Sequence, residues 1–285
     1  MALSLRQLRT KIRATQKTKQ ITKTMQMVAA SRLKRAEERL RRSRLYSHKM
    51  ETFKLRLVNQ AKPTDHPFLQ SRTVKSVGVV VVTSDRGLCG TYNSRVIDCA
   101  EQFIAGQGAK VSVKLILIGK KGYEFFSRRE APILTHYLDV TGKPDFGRIS
   151  GIADQIVAAF LSGEVEDVYL IYMNYQSALS AKPVCVRFLS LSEPQKTDAE
   201  PILLEPNLSE LLSQFLPKYV VSKLYFSLVE ACTAENSARM IAMKSATDNA
   251  KEMIDRITLL RNKARQSAIT KEILEIVTAG EALKG

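Results

Sequence analysis

The chain has 285 residues, 45% of them hydrophobic and 25% charged, which is the composition of a folded protein rather than a disordered one. Its apolar runs, such as those at residues 77–82 and 115–118, are far shorter than the roughly 20 residues of a membrane-spanning helix, so we predict no transmembrane segment. The net charge of +16 is concentrated in residues 1–62, which hold 18 Lys and Arg against three Glu. This charge favours nucleic acid, an anionic membrane surface or an acidic protein surface as the partner.

Residues 1–62 are predicted to form a coiled-coil helix, because the first Pro is Pro63 and the first Gly is Gly78. Their Arg-rich start is also typical of organellar transit peptides. The same character continues into the long helix without a cleavage-like break, so we interpret it as mature structure. The predicted apolar seam runs through Ile21, Met25, Val28, Ala29, Leu33, Ala36 and Leu40.

In residues 75–191 the spacing of apolar residues changes, and this segment is predicted to form an α/β domain. The segments "VGVVVV", "KVSVKLILIG", "PILTHYLDV" and "EDVYLIYMNYQ" read as strands, and the segments between them read as helices. The segment "KPVCVRFLSL" is predicted to be a final edge strand. Strands that alternate with helices imply a sheet covered by helices on both faces.

No segment of this domain carries a recognised catalytic or cofactor motif. "SDRGLCG" follows a strand and precedes a helix, as phosphate loops do, but it lacks the Lys and hydroxyl of a P-loop and the spacing of G-x-G-x-x-G. "GKKG" also lacks the Ser or Thr. The four Cys and three His are scattered, which predicts free thiols and no metal site. We therefore expect neither a cofactor nor enzymatic activity, and a mechanical or binding role instead.

Residues 192–207 are rich in Pro and acidic residues and are predicted to be an exposed linker. Residues 208–285 are predicted to be a second coiled-coil helix, and its seam reads Ala246, Ala250, Met253, Ile257, Leu260, Ala264 and Ser267. Helices this long need a packing partner. The predicted fold class is therefore α/β, with N- and C-terminal helices paired as a long antiparallel coiled coil and a Rossmann-like α/β domain inserted between them.

An alternative function is a basic coiled-coil protein that binds nucleic acid. A basic helix that leads into a coiled coil is the layout of basic-zipper proteins. Those proteins, however, carry a parallel zipper directly after the basic region, whereas the second helix here follows more than 150 residues later. The first 45 residues also lack the aromatic side chains on which single strands stack. We therefore expect no nucleic-acid partner, and the charged face can equally be solvated.

Three motifs, in order along the whole chain, resemble the γ subunit of F-type rotary ATP synthases. They are "ITKTMQMVAASRLKRA" at residues 21–36, "TSDRGLCGTYN" at residues 83–93, and "ARMIAMKSATDNAKEMI" with "NKARQSAITKEILEIV" near the C-terminus. The chain departs from the family where a Gly-Gly-Ala-like run commonly follows the last Ile-Val, because it has Thr278, Ala279 and Gly280 there. The linker also lacks the Cys pair of the thiol-regulated chloroplast type.

The resemblance implies a non-catalytic rotor shaft that couples rotation of the membrane c ring to conformational cycling of the catalytic β subunits. The implied partners are the α and β subunits of the catalytic ring, the ε subunit and the c ring, with one copy of this chain in each complex. The implied location is the cytoplasmic side of the cell membrane, as a peripheral protein of bacterial type.

The resemblance also implies contact residues, which we carry over by position in the motifs. Lys23 and Met25 match the patch that faces an acidic loop of the β subunits. Arg265 and Gln266 match residues that hydrogen-bond a ring subunit, and Thr270 follows one turn later. Glu205 and Pro206 match a foot segment near the c ring. Each of these could instead be plain surface of the coiled coil or linker.

Overall fold

The computed structural model describes residues 4–70, 72–108, 111–191 and 207–282. Two long helices, α1 (Leu5–Gln60) and α5 (Leu208–Ala282), precede and follow an α/β region. The chain divides into two compact units, one of residues 1–29 and 240–285 and the other of residues 30–239. These divisions cut both long helices, so the predicted domain boundaries stay a prediction. Apart from Asn207, the predicted linker lies outside the described residues, and so do Glu205 and Pro206.

The larger unit is built on a five-stranded sheet. Its strands are β1 (Ser76–Val82), β2 (Ser112–Ile118), β3 (Ile133–Tyr137), β4 (Asp167–Ser177) and β5 (Ser180–Leu189). Their order is β3-β2-β1-β4-β5, and only the β4–β5 pair is antiparallel. In the centre, Val80 of β1 lies opposite Ile116 of β2 and Leu170 of β4. The predicted Rossmann-like α/β domain with a final edge strand is confirmed.

Three helices connect the strands: α2 (Tyr92–Gly106), α3 (Lys120–Ser127) and α4 (Phe146–Leu161). Asp145 caps α4, because its side chain accepts a hydrogen bond from the backbone N–H of Arg148 at 3.0 Å. Val80 and the other central valines of β1 are fully buried, as expected for a parallel strand covered on both faces. The core also includes Phe160 of α4 and Leu224 of α5, so the long helix is part of this unit's core.

The smaller unit pairs the start of α1 with the end of α5. Leu8 and Ile12 pack against Ile257, and Ala264 also contacts this cluster. Further along α1, the Thr22 hydroxyl lies 2.8 Å from that of Thr247. Contacts therefore move towards lower numbers on α5 as they move up α1, so the two helices are antiparallel, as predicted.

The predicted seam of α1 is correct at Ala29, Leu33 and Leu40, which are buried, but wrong by one residue at Ile21 and Val28. Ile21 and Val28 are 60% and 47% exposed, whereas Thr22 and Ala29 face inward. Inward positions follow a 3-4 repeat, but several of them carry polar side chains such as Thr15 and Thr22. Because the apolar residues Ile21 and Val28 lie beside the seam rather than in it, apolar periodicity alone misplaces the seam at these positions.

On α5 the predicted seam is correct at three positions and displaced at others. Ala250 and Ile257 are buried and Ala264 is partly buried. Met253 and Leu260 are 49% and 55% exposed. Ile254, next to Met253, packs against the Leu8 cluster instead. The atypical residues 278–280 do not end the helix, which continues to Ala282.

Candidate partner interface

The predicted contact residues lie on the surface of the smaller unit. Lys23, Arg265, Gln266 and Thr270 are exposed, and Met25 is half-buried. The Thr270 hydroxyl donates to the backbone carbonyl of Gln266 at 3.0 Å, within α5. Exposure leaves these side chains accessible to a partner.

These residues form two groups rather than one site. Lys23 follows Thr22, which contacts Thr247. Arg265 follows Ala264, which lies in the Leu8 cluster. At 1.5 Å per helical residue, the levels of Thr247 and Arg265 are about 27 Å apart along α5. A partner that contacts both groups must therefore be large or present in several copies.

The α1 segment of this unit carries positive charge without compensation from its own sequence. No Asp or Glu occurs in residues 4–29. The exposed cations are Arg6, Arg9, Lys11, Arg13, Lys17 and Lys23. The ion pair described in this unit lies within α5, between Lys271 and Glu275 at 3.5 Å. The basic face is therefore available to an acidic partner.

The end of α5 also exposes large apolar side chains. They are Ile269, Ile273, Leu274, Ile276 and Val277, each about half exposed or more. Ala264 already packs against the first turns of α1, so little of α1 remains to cover the α5 residues that follow. A contiguous apolar surface of this kind marks an interaction site. Sequence reasoning counted these residues as part of a helix and missed their exposure.

In the larger unit, the loop "SDRGLCG" is held by the chain itself. The Asp85 carboxylate accepts hydrogen bonds from the backbone N–H groups of Lys120, Asp139 and Thr141 at 2.9–3.1 Å, and from the Thr141 hydroxyl at 2.8 Å. These N–H groups belong to the loops at the carboxyl ends of β2 and β3, where α/β domains often bind phosphate. A carboxylate of the chain accepts them here, which supports the interpretation as a structural turn.

The same loop is attached to α5. Arg239 donates to the backbone carbonyls of Arg86 and Gly87 at 3.1–3.3 Å, and its guanidinium is paired with Glu235 at 2.7 Å. The backbone of Leu88 has a φ of 63°, which is uncommon for a residue other than Gly. Arg239 thus fixes a loop conformation that the local sequence does not favour. No sequence pattern predicts this contact, since a charged residue in a long helix is expected to lie on the helix surface.

Two further carboxylates, one partly buried and one buried, join helices to the sheet or to each other. Glu51 of α1 accepts from the Tyr219 hydroxyl at 2.7 Å and pairs with Lys54 at 2.6 Å and Lys223 at 3.2 Å. Burial opposes its ionisation, but the two lysines outweigh burial and lower its pKa to about 2. Glu230 of α5 accepts from Tyr172 and Asn174 of β4, both at 3.0 Å, and burial raises its pKa. Both long helices are therefore anchored in this unit.

No helix within the described residues is both long and apolar enough to cross a bilayer. The family model that matches this chain is that of ATP synthase, over residues 4–283. The ATP synthase gamma chain of Desulfitobacterium hafniense is 38% identical and that of Moorella thermoacetica 39% identical, and each alignment covers at least 98% of both chains.

Solved structures show the same fold. The central stalk and c ring structure of the Tetrahymena thermophila mitochondrial ATP synthase contains a chain with 25% identity and a TM-score of 0.60, covering 79% of this chain and 99% of that one. A chain of the Euglena gracilis mitochondrial enzyme has 18% identity and a TM-score of 0.71, covering 98% of this chain and 94% of that one. These relatives give no support to the nucleic-acid hypothesis. The chain belongs to the ATP synthase gamma chain family.

Proposed function

We propose that this chain is the central rotor shaft of an ATP synthase. It couples rotation of the membrane ring to conformational cycling of the catalytic subunits and is not itself the catalyst. The observation that carries this proposal is the antiparallel pairing of the two chain ends, seen in the Leu8–Ile257 and Thr22–Thr247 contacts, in a chain that matches the family over its full length. A torque-bearing shaft needs two helices joined side by side, because a single long helix is marginal in water.

The basic face of α1 supports an electrostatic bearing. We propose that Lys23 and Met25 face an acidic loop of each β subunit in turn. Attraction between opposite charges acts over several ångströms and needs no fixed geometry, so it can centre a rotating shaft without trapping it at one angle. The β conformation favoured at each step is then set by which face of the shaft it meets.

The exposed end of α5 suits a second, closer contact. We propose that Arg265 and Gln266 hydrogen-bond a subunit of the catalytic ring, and that Thr270, one turn later, extends this surface. Arg presents a planar set of donors that matches a carboxylate, and Gln offers both a donor and an acceptor. The neighbouring exposed apolar residues, Ile269 and Ile273, would be covered by the same ring.

The remaining partners are proposed from the family. They are three α and three β subunits around a single copy of this chain, an ε subunit beside the α/β domain, and a c ring below it, with Glu205 and Pro206 in the foot near that ring. The location is the cytoplasmic side of the cell membrane, at its surface. The Tetrahymena and Euglena structures comprise the central stalk, rotor, F1 and c ring of those enzymes, which supports this general arrangement.

Reconstitution tests the proposal. We expect the purified chain to hydrolyse no ATP, and the α and β subunits to form a fast ATPase only when it is added. A Cys-free chain carrying Thr22→Cys and Thr247→Cys provides a matched test, because an internal disulfide joins two helices that turn as one body. Activity and proton pumping that survive this cross-link support a shaft. ATP hydrolysis by the chain alone, or loss of activity that thiol reduction restores, contradicts it.

A further inference from the structure

A cavity of about 510 Å³ lies in the larger unit, between α1, α5 and the loops that follow β1 and β3. These loops lie at the carboxyl ends of parallel strands, the edge at which open α/β sheets commonly bind ligands. Three carboxylates line the cavity: Asp85, Asp139 and Glu235. Six cations line it too: Arg32, Arg35, Arg39, Arg86, Lys143 and Arg239. The lining therefore has an excess of positive charge and suits an anion.

The three carboxylates differ in whether their oxygens already have hydrogen-bond partners. Asp85 already accepts the four hydrogen bonds described above, and Asp139 is exposed to water. Glu235 is only 4% exposed. Its Oε1 accepts from Arg239, but its Oε2 is buried and has no hydrogen-bond partner among the described residues. A buried acceptor left unpaired is costly, so this oxygen requires a donor.

Cations line the cavity together with Glu235. Burial raises the pKa of Glu235, and the charges of Arg239 and Arg32 oppose that effect. Burial also raises the pKa of Cys232, one turn before Glu235 on α5, and the charges of Arg39, Arg239 and Arg32 oppose it. Because Arg32, Arg39 and Glu235 all line the cavity, an anion bound there can contact the arginines of α1 and the Glu235 carboxylate.

The ligand must supply negative oxygens to the arginines and one hydrogen to a carboxylate. Sulfate and the carboxylates of acidic peptides lack that hydrogen at neutral pH, whereas inorganic phosphate keeps a P–O–H group. We infer that this cavity binds inorganic phosphate, with its charged oxygens towards Arg32 and Arg39 and its P–O–H donated to Oε2 of Glu235. The inference does not depend on the rotor function.

Calorimetric titration of the full-length chain with phosphate and with sulfate, at matched ionic strength, tests the inference. Matching is essential because salt screens the charge term that the two anions share. We expect one phosphate per chain, bound at least about tenfold more tightly than sulfate, since a site built for a donor rejects an analogue that lacks it. Equal affinity for the two anions, or no saturable binding, overturns the inference.

Replacing Glu235 by Gln gives a sharper test. In Glu235→Gln the amide oxygen can still accept from Arg239, while an N–H₂ group takes the place of Oε2. We expect phosphate affinity to fall about tenfold or more and sulfate affinity to rise, so that selectivity is reduced or reversed. Glu38→Gln, an exposed change on α1, is the matched control and should keep the preference for phosphate.

A second pair of variants distinguishes phosphate binding in the cavity from attraction to the general surface charge. Arg32→Ala removes a cation that lines the cavity, and Arg41→Ala removes an exposed cation from the same helix outside the lining. We expect about tenfold weaker phosphate binding for Arg32→Ala and little change for Arg41→Ala. Thermal melts followed by circular dichroism establish that each variant is folded. Equal effects of the two substitutions, or unchanged selectivity in Glu235→Gln, overturn the inference.

Discussion

The two compact units of this chain are stabilised in different ways. The larger unit buries an apolar core around its sheet and anchors both long helices with hydrogen-bonded carboxylates such as Glu51 and Glu230. The smaller unit has one small cluster around Leu8, a seam that includes Thr22 and Thr247, and many exposed apolar side chains. The larger unit thus holds itself together, whereas the smaller one leaves much of its apolar surface for partners to cover.

This difference is consistent with the work of a shaft. In the proposed shaft, the smaller unit is the part that other subunits contact during rotation. It presents exposed charge and exposed apolar side chains, including Lys23 and Ile273. The part that must transmit force to both helices is instead cross-connected by hydrogen bonds from the sheet and its loops. Substitutions in the two units should therefore differ in how much they change stability and in how much of the chain they affect.

The largest effect is expected for Phe160→Ala in the larger unit. Phe160 is fully buried, its ring meets that of Phe68 at a centroid distance of 5.9 Å, and its carbonyl accepts from Arg72 at 2.7 Å. Truncation of such a ring leaves a cavity and should lower the free energy of unfolding by about 3–5 kcal/mol. Denaturant unfolding of the full chain measures it. The neighbouring Leu161→Ala, at a residue 48% exposed, is the control and should lose far less.

A smaller and more local effect is expected for Ile257→Ala. Ile257 is 6% exposed and contacts Leu8 and Ile12 in the small cluster. We expect a loss of about 2 kcal/mol, at the low end for Ile→Ala, because few side chains surround it. Hydrogen exchange should accelerate in residues 5–29 and 240–265 but not in the sheet. The control is Leu260→Ala, whose side chain is 55% exposed. Equal acceleration in the sheet would contradict the separation of the two units.

The Glu51 cluster predicts a pH effect confined to the larger unit. Because the folded-state pKa of Glu51 is lowered from 4.5 to about 2, its carboxylate stabilises the fold above pH 4.5 and loses that contribution as pH falls towards 2. The side chain is about one-third exposed, so we expect only about 1–2 kcal/mol at neutral pH.

Glu51→Gln measures this contribution. The variant should unfold more easily than the parent chain at neutral pH, and the gap should shrink between pH 4.5 and pH 2. Glu38→Gln, at an exposed position on the same helix, serves as the reference. A gap that stays constant across this range would show that the carboxylate charge is not what stabilises the cluster.

The larger unit was also the easier one to predict from sequence. Val79 to Val82 and Leu115 to Ile118 form continuous apolar runs, and their β-branched residues and flanking turn-forming residues favour buried strands. The long helices followed from the absence of Pro and Gly, although Pro217 lies inside α5, where it could have suggested a break. The pattern of apolar residues and the positions of Pro and Gly were therefore sufficient to predict the fold class.

The seam and the polar contacts could not be predicted in the same way. Thr22 replaces an apolar residue in the seam, and Ile21 beside it gives the stronger but misleading signal. The hydrogen bonds from Arg239 to the carbonyls of Arg86 and Gly87 join residues about 150 positions apart, and no local pattern encodes them. Lys23 and Arg265 were chosen by family resemblance, since an isolated sequence does not distinguish a contacting cation from a solvated one.

The smallest effect on stability is expected at the proposed ring contacts. Arg265 and Gln266 are exposed, so Arg265→Ala and Gln266→Ala should each change the free energy of unfolding of the full chain by less than about 0.5 kcal/mol. In the assembled ATPase the same changes should lower turnover or its coupling to proton pumping, because each removes a hydrogen bond to the ring that is worth about 1 kcal/mol or more. Lys263→Ala, which removes an exposed cation two residues before Arg265, is the matched control. If all three variants lowered activity equally, overall charge rather than these contacts would couple the smaller unit to its ring, and the basic face of α1 would carry the whole bearing function.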